Sequence, residues 1–134
     1  MPYILFVLAA IVALAIGLIL HVWRINRSRS RISSSVRSEL QRSWQHTVSL
    51  PDPVRRVMEA EKVADRLLSA LGFSGSFADK LKSASARFGK MESVWSAHKL
   101  RNRLAHEPGA TIGEKEAANA LAAFEQLLKP FLRK

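Results

Sequence analysis

Residues 1–20 contain no charged or strongly polar side chain, and this run constrains the chain more than any other feature. At 1.5 Å per residue, about 20 helical residues cross a hydrocarbon core of roughly 30 Å. His21 interrupts the run, and Val22 and Trp23 extend it. Tyr3 and Trp23 stand near its two ends, where amphipathic rings favour the headgroup region. The alternatives are a cleaved secretory signal and a buried core helix. A signal wants a basic leading segment and a shorter apolar stretch, and only Met1 precedes this one. Residues 1–23 are therefore expected to form a transmembrane anchor.

Charge gives the expected orientation. Arg24, Arg27, Arg29, Arg31 and Arg37 follow the apolar run closely, while no Lys or Arg precedes it. The positive-inside rule then puts the N-terminus outside and the remainder on the cytoplasmic side of the cell (inner) membrane. The chain contains no cysteine, which fits that compartment. Residues 24–56 carry eight basic and two acidic side chains, and residues 57–134 carry thirteen and nine. More than half of the net +10 therefore lies beside the bilayer. Attraction of Arg24, Arg27, Arg29 and Arg31 to anionic headgroups accounts for that excess. The high isoelectric point alone is thus a poor argument for nucleic acid, although the remaining positive balance is compatible with RNA.

The part beyond the anchor has room for one small domain. Residues 24–50 read as a basic juxtamembrane linker followed by an amphipathic helix. Ile32, Val36, Leu40, Trp44 and Val48 recur every fourth residue and give that helix an apolar stripe. It either lies on the membrane or covers the bundle that follows, with the bundle favoured. Pro51-Asp52-Pro53 breaks it, with Asp52 as N-cap and Pro53 in the next first turn. That helix stops at Gly72. Ser76 and Asp79 have capping-box spacing, as do Thr111 and Glu114. No stretch alternates like a strand. The expected fold is all-α: one transmembrane helix, then an antiparallel bundle of four to five helices, with residues 51–134 as the bundle.

The segment Trp95 to Gly109 gathers the side chains with chemical reach: Trp95, His98, Arg101, Asn102 and His106, ended by Pro108-Gly109. At about 100° per residue, Arg101 falls among the apolar positions of this helix. Trp95, His98, Asn102 and His106 form a column expected to face outward as a binding or interface surface. A guanidinium on a core face needs a partner. On the preceding long helix, Glu61 and Asp65 interrupt the apolar stripe of Val54, Val57, Met58, Ala64 and Leu68. Arg101 is therefore expected to pair with Glu61, Asp65 or both. Arg103 and Lys99 are alternative partners for a carboxylate, and snorkelling of all three charges at the domain edge is the structural alternative.

Arg101-Asn102-Arg103-Leu104-Ala105-His106 resembles the RxxxxH signature of HEPN domains, small all-α domains named for higher eukaryotes and prokaryotes nucleotide-binding. The resemblance covers roughly residues 52–131, although its specific part is the hexad in its helical setting. The wider string HKLRNRLAHE is also similar to small membrane-anchored bacterial proteins. The HEPN resemblance implies metal-independent RNA cleavage, with motifs from two subunits meeting in a homodimer. It would make His106 the acid or base, or the group that orients the RNA 2′-hydroxyl, Arg101 the stabiliser of phosphate charge, and Asn102 a group positioning a partner or substrate. It equally implies a non-catalytic module, since many members only bind or scaffold. Arg101 and His106 lie about 140° apart on an ideal helix, which weighs against catalysis within one subunit. Neutralisation of Arg101 by a carboxylate weighs the same way.

Other chemistries find no support. His98 and His106 sit about 12 Å apart along a helix, too far to share a metal. There is no HExxH, cysteine cluster or Gly-rich phosphate loop, so neither a metal nor a cofactor is expected. Trp44 and Trp95 suit a core or interface better than a base-stacking platform. Three readings remain. The favoured one is an RNA-binding or protein-interaction module, and the others are a dimeric endoribonuclease and a structural membrane assembly protein.

Overall fold

The computed structural model describes residues 2–28 and 31–133, which form six helices and, among those residues, no strand. Arg29, and the side chain of Arg27, lie outside the described residues. Two compact units result, Met1–Arg31 and Ile32–Lys134.

The first unit is the helix α1 (Pro2–Ser28). Its Tyr3–Arg24 stretch is long and apolar enough to cross a membrane, and none of it is buried. Twenty-two residues at 1.5 Å each reach about 33 Å, which matches a hydrocarbon core. Tyr3, Leu14, Leu18 and Ile19 are all widely exposed.

The second unit contains α2 (Ser34–Ser49), α3 (Pro53–Ala70), α4 (Phe77–Phe88), α5 (Glu92–His106) and α6 (Glu114–Leu132). Helix α3 touches all four others. Its own sequence explains that centrality, because Val57, Ala60, Val63, Ala64, Leu67 and Leu68 bury a wide arc of the helix. Leu40 from α2, Leu81 from α4, Val94 and Ala97 from α5, and Phe124 and Leu128 from α6 complete the core. Ion pairs report the helix directions. Glu39 early in α2 meets Arg66 late in α3, and Arg103 late in α5 meets Glu116 early in α6, so both pairs of helices are antiparallel. Arg56 and Glu114 pair at the starts of α3 and α6, which therefore run the same way.

Helix α2 packs on the bundle rather than standing apart from it. Leu40 is fully buried, Ile32 joins the core, and Arg37 Nε and Gln41 Nε2 donate to the carbonyls of Phe131 and Leu132 at 3.0 and 2.8 Å. Only Val48 leaves the stripe for solvent.

Local signals set the helix ends. Asp52 accepts from the Arg55 amide at 3.0 Å with Pro53 behind it, and Ser76 and Asp79 form a reciprocal capping box. Gly75 has φ +94°, and a Cβ there would sit 2.9 Å from Asp79 Oδ2, so the box requires glycine at that position. The second expected box does not form. Helix α6 begins at Glu114 with Gly113 as N-cap and no side-chain cap bond. Thr111 therefore lies two residues before the cap, where its hydroxyl cannot serve the first turn.

Candidate functional site

Glu61 occupies the middle of α3 with only 6% of its surface exposed. A carboxylate there is too costly unless several donors face it. Two donors come from α5: His98 Nδ1 lies 2.8 Å from Glu61 Oε2, and Arg101 Nε lies 3.1 Å from Oε1. The Arg101 contact is a charge pair rather than an aligned hydrogen bond, since Nε has no bonded acceptor.

Asn102 closes the arrangement. Its Oδ1 faces Arg101 Nη1 at 3.4 Å, and its Nδ2 lies 3.1 Å from His98 Nε2. Arginine can only donate, so the Asn102 oxygen must point towards it, and the amide nitrogen then donates to His98 Nε2. That leaves the ring proton on Nδ1, aimed at Glu61. Glu61, His98, Asn102 and Arg101 thus form a closed circuit of four polar side chains between α3 and α5. Phe77 and Trp95 hold the imidazole in place, with ring centroids 5.2 and 6.0 Å away.

Asp65 does not join Arg101. It pairs with Lys80 of α4, whose Nζ lies 2.7 Å from Asp65 Oδ1 and 2.8 Å from Ser69 Oγ. Sequence reasoning missed Lys80, although the signal was present: it shares a helical stripe with Phe77, Leu81 and Ala84, all buried. Of the alternative partners, Arg103 goes to Glu116 and Lys99 is exposed.

The expectation that Trp95, His98, Asn102 and His106 form one outward face is corrected. His98 keeps 13% of its side-chain exposure, and Trp95 and Asn102 are half-buried. Only His106 is exposed. The buried apolar side of α5 is narrow, with only Val94 and Ala97 below the surface, and His98 turns to Glu61 of α3 and Phe77 of α4. Arg101 and His106, the two ends of the RxxxxH hexad, are not brought together. Arg101 faces the groove, whereas His106 ends α5 outside it.

Above the circuit lies a groove of about 430 Å³ whose walls include Lys62, Ser76, Phe77 and Lys80, with Glu61, His98, Arg101 and Asn102 along its inner side. At its rim the Ser76 hydroxyl and amide both donate to Asp79 Oδ2, at 2.6 and 2.9 Å, and hold that carboxyl below the ordinary aspartate range. Among the described residues, no three His, Asp or Glu side chains gather as metal ligands. No family model, no curated protein and no solved structure matches this chain.

Proposed function

We propose that the protein is a single-pass membrane protein, N-terminus outside, whose cytoplasmic HEPN-like helical unit binds single-stranded RNA in the groove between α3, α4 and α5. One observation carries this reading: Lys62, Lys80 and Asn102, from three helices, line a single open groove of nucleotide size, beside the carboxylates of Glu61 and Asp65. Lys62 and Lys80 would take phosphate, and the second amide hydrogen of Asn102 can address a base edge, while both ring nitrogens of His98 stay engaged with Glu61 and Asn102. The unit Ile32–Lys134 carries seventeen Lys and Arg against eleven Asp and Glu, a field that favours a polyanion.

Binding is favoured over cleavage because Glu61 already neutralises Arg101 and His106 stands outside the groove. The test uses the full chain in detergent micelles with labelled single-stranded RNA, EDTA and rising salt. Association should weaken with a slope of about −0.7 in log K per phosphate contact. Lys62→Glu, at an exposed position, should weaken it further while the RNA stays intact. Cleavage that disappears in His106→Ala would establish the dimeric ribonuclease instead. No association at low salt would reject the RNA reading and leave a protein partner.

A further inference from the structure

A second groove, of about 330 Å³, opens between the α4–α5 connection and the C-terminal end of α6. Its floor is apolar: Phe88, Met91, Leu127, Pro130 and Phe131. Phe88 keeps 38% of its surface exposed and stands edge-on to Phe131 at 5.8 Å. Gly89, with φ +90°, turns the chain sharply there and leaves Lys90 on the rim. Lys90 lines the groove itself, and Arg87, Lys129 and Arg133 flank its lining residues in the sequence, with Glu92 and Glu125 as the acidic neighbours. Arg87 also lies over the Phe88 ring, 5.1 Å from its centroid.

We propose that this groove is where the helical unit rests on anionic phospholipid, with the aromatic floor against the glycerol and upper acyl region and the basic rim on the phosphates. The inference rests on reading α1 as a membrane span. Two observations choose lipid over other occupants. The first is the pairing of an apolar floor with Lys90 on its wall and basic flanking positions at Arg87, Lys129 and Arg133, the combination by which interfacial surfaces recognise anionic bilayers. The second is chain length. Only residues 25–31 separate the apolar stretch from Ile32, a segment that reaches at most about 28 Å when fully extended. The groove lies at the end of the bundle where the chain enters, because Phe131 in its floor accepts the Arg37 bond from the first turn of α2. This face is distinct from the polar groove on α3, α4 and α5, which stays open for its own ligand.

The test is hydrogen exchange on the full chain in nanodiscs of phosphatidylcholine alone or mixed with phosphatidylglycerol. Amides of residues 88–91 and 131–133 should exchange at least about fivefold more slowly in the anionic discs, with α3 unchanged. The double variant Lys90→Glu and Arg133→Glu, at exposed positions that leave the core intact, should lose that difference, and Phe88→Ser should lose most of it. Equal exchange in both lipids, with the chain inserted, would overturn the proposal while leaving the span in place. Protection that follows protein concentration in neutral discs would assign the face to a second copy and overturn it as well. A chain that fails to enter the discs would remove the membrane reading first, and the docking face with it.

Discussion

His98 Nδ1 and Glu61 Oε2 meet at 2.8 Å across α5 and α3, and this contact fixes both the tautomer of the imidazole and the fate of a carboxylate placed inside the bundle. The circuit it belongs to has consequences that can be measured.

Removing the carboxylate strands its donors. Glu61→Ala should destabilise the helical unit by about 3 kcal/mol, the usual result of breaking a buried ion pair from one side. Lys80→Met should cost less, about 1 kcal/mol, because its partner Asp65 keeps 39% of its side chain in water and can be resolvated. Thermal unfolding followed by circular dichroism, full chain in micelles, orders the two. Equal losses would mean that burial does not distinguish the pairs.

The neutral imidazole of His98 should carry its proton on Nδ1, the less common tautomer for a histidine in water. Nitrogen-15 shifts of the ring read it directly. Asn102→Ala removes the donor to Nε2 and should relax the preference. An Nε2–H signal in the parent protein would show that Asn102 points the other way.

The capping box of α4 is sensitive to acid. Asp79 has its carboxyl lowered by the Ser76 hydroxyl and then by the Ser76 amide, so its contribution to stability is complete above the unfolded value of about 3.9 and is lost as pH falls through the lower folded value. Ser76→Ala should cost about 1 kcal/mol as a lost cap and return the Asp79 titration towards the ordinary range. Carboxyl carbon-13 titration follows both forms.

Phe124 is fully buried and packs its ring 6.2 Å from Phe77, whose other neighbour is His98. Phe124→Ala should cost about 3–5 kcal/mol and loosen the wall that holds the imidazole. A variant that melts normally yet has a mobile His98 ring would separate core stability from the order of the site.

The parts of this structure legible in the sequence are local or periodic. The Asp52-Pro53 start and the Ser76–Asp79 box need only a three-residue reach, and the apolar run of α1 is visible by length alone. Glu61 and Arg101 announced themselves as charges inside apolar stripes, and the structure sets them together. Lys80 sends the same signal from α4, but only the packing of α4 on α3 gives it to Asp65. The outward face assigned to α5 fails for a related reason. A helical projection orders side chains around one axis and says nothing about where the neighbouring helices stand, so a column containing His98 and Asn102 read as solvent-facing although Glu61 of α3 and Phe77 of α4 stand against His98. Thr111 shows the limit of spacing as a cue, since Gly113 two residues later takes the cap.

Helix α2 sets where this protein can be cut. Its side chains Arg37 and Gln41 clasp the last carbonyls of α6, and Leu40 fills the core from outside. A fragment begun at residue 51 would lack that strap, leaving an open seam along α3 and α6 and a frayed α6 terminus. A version of the bundle without α1 has to start no later than Ile32, the first residue of the second compact unit.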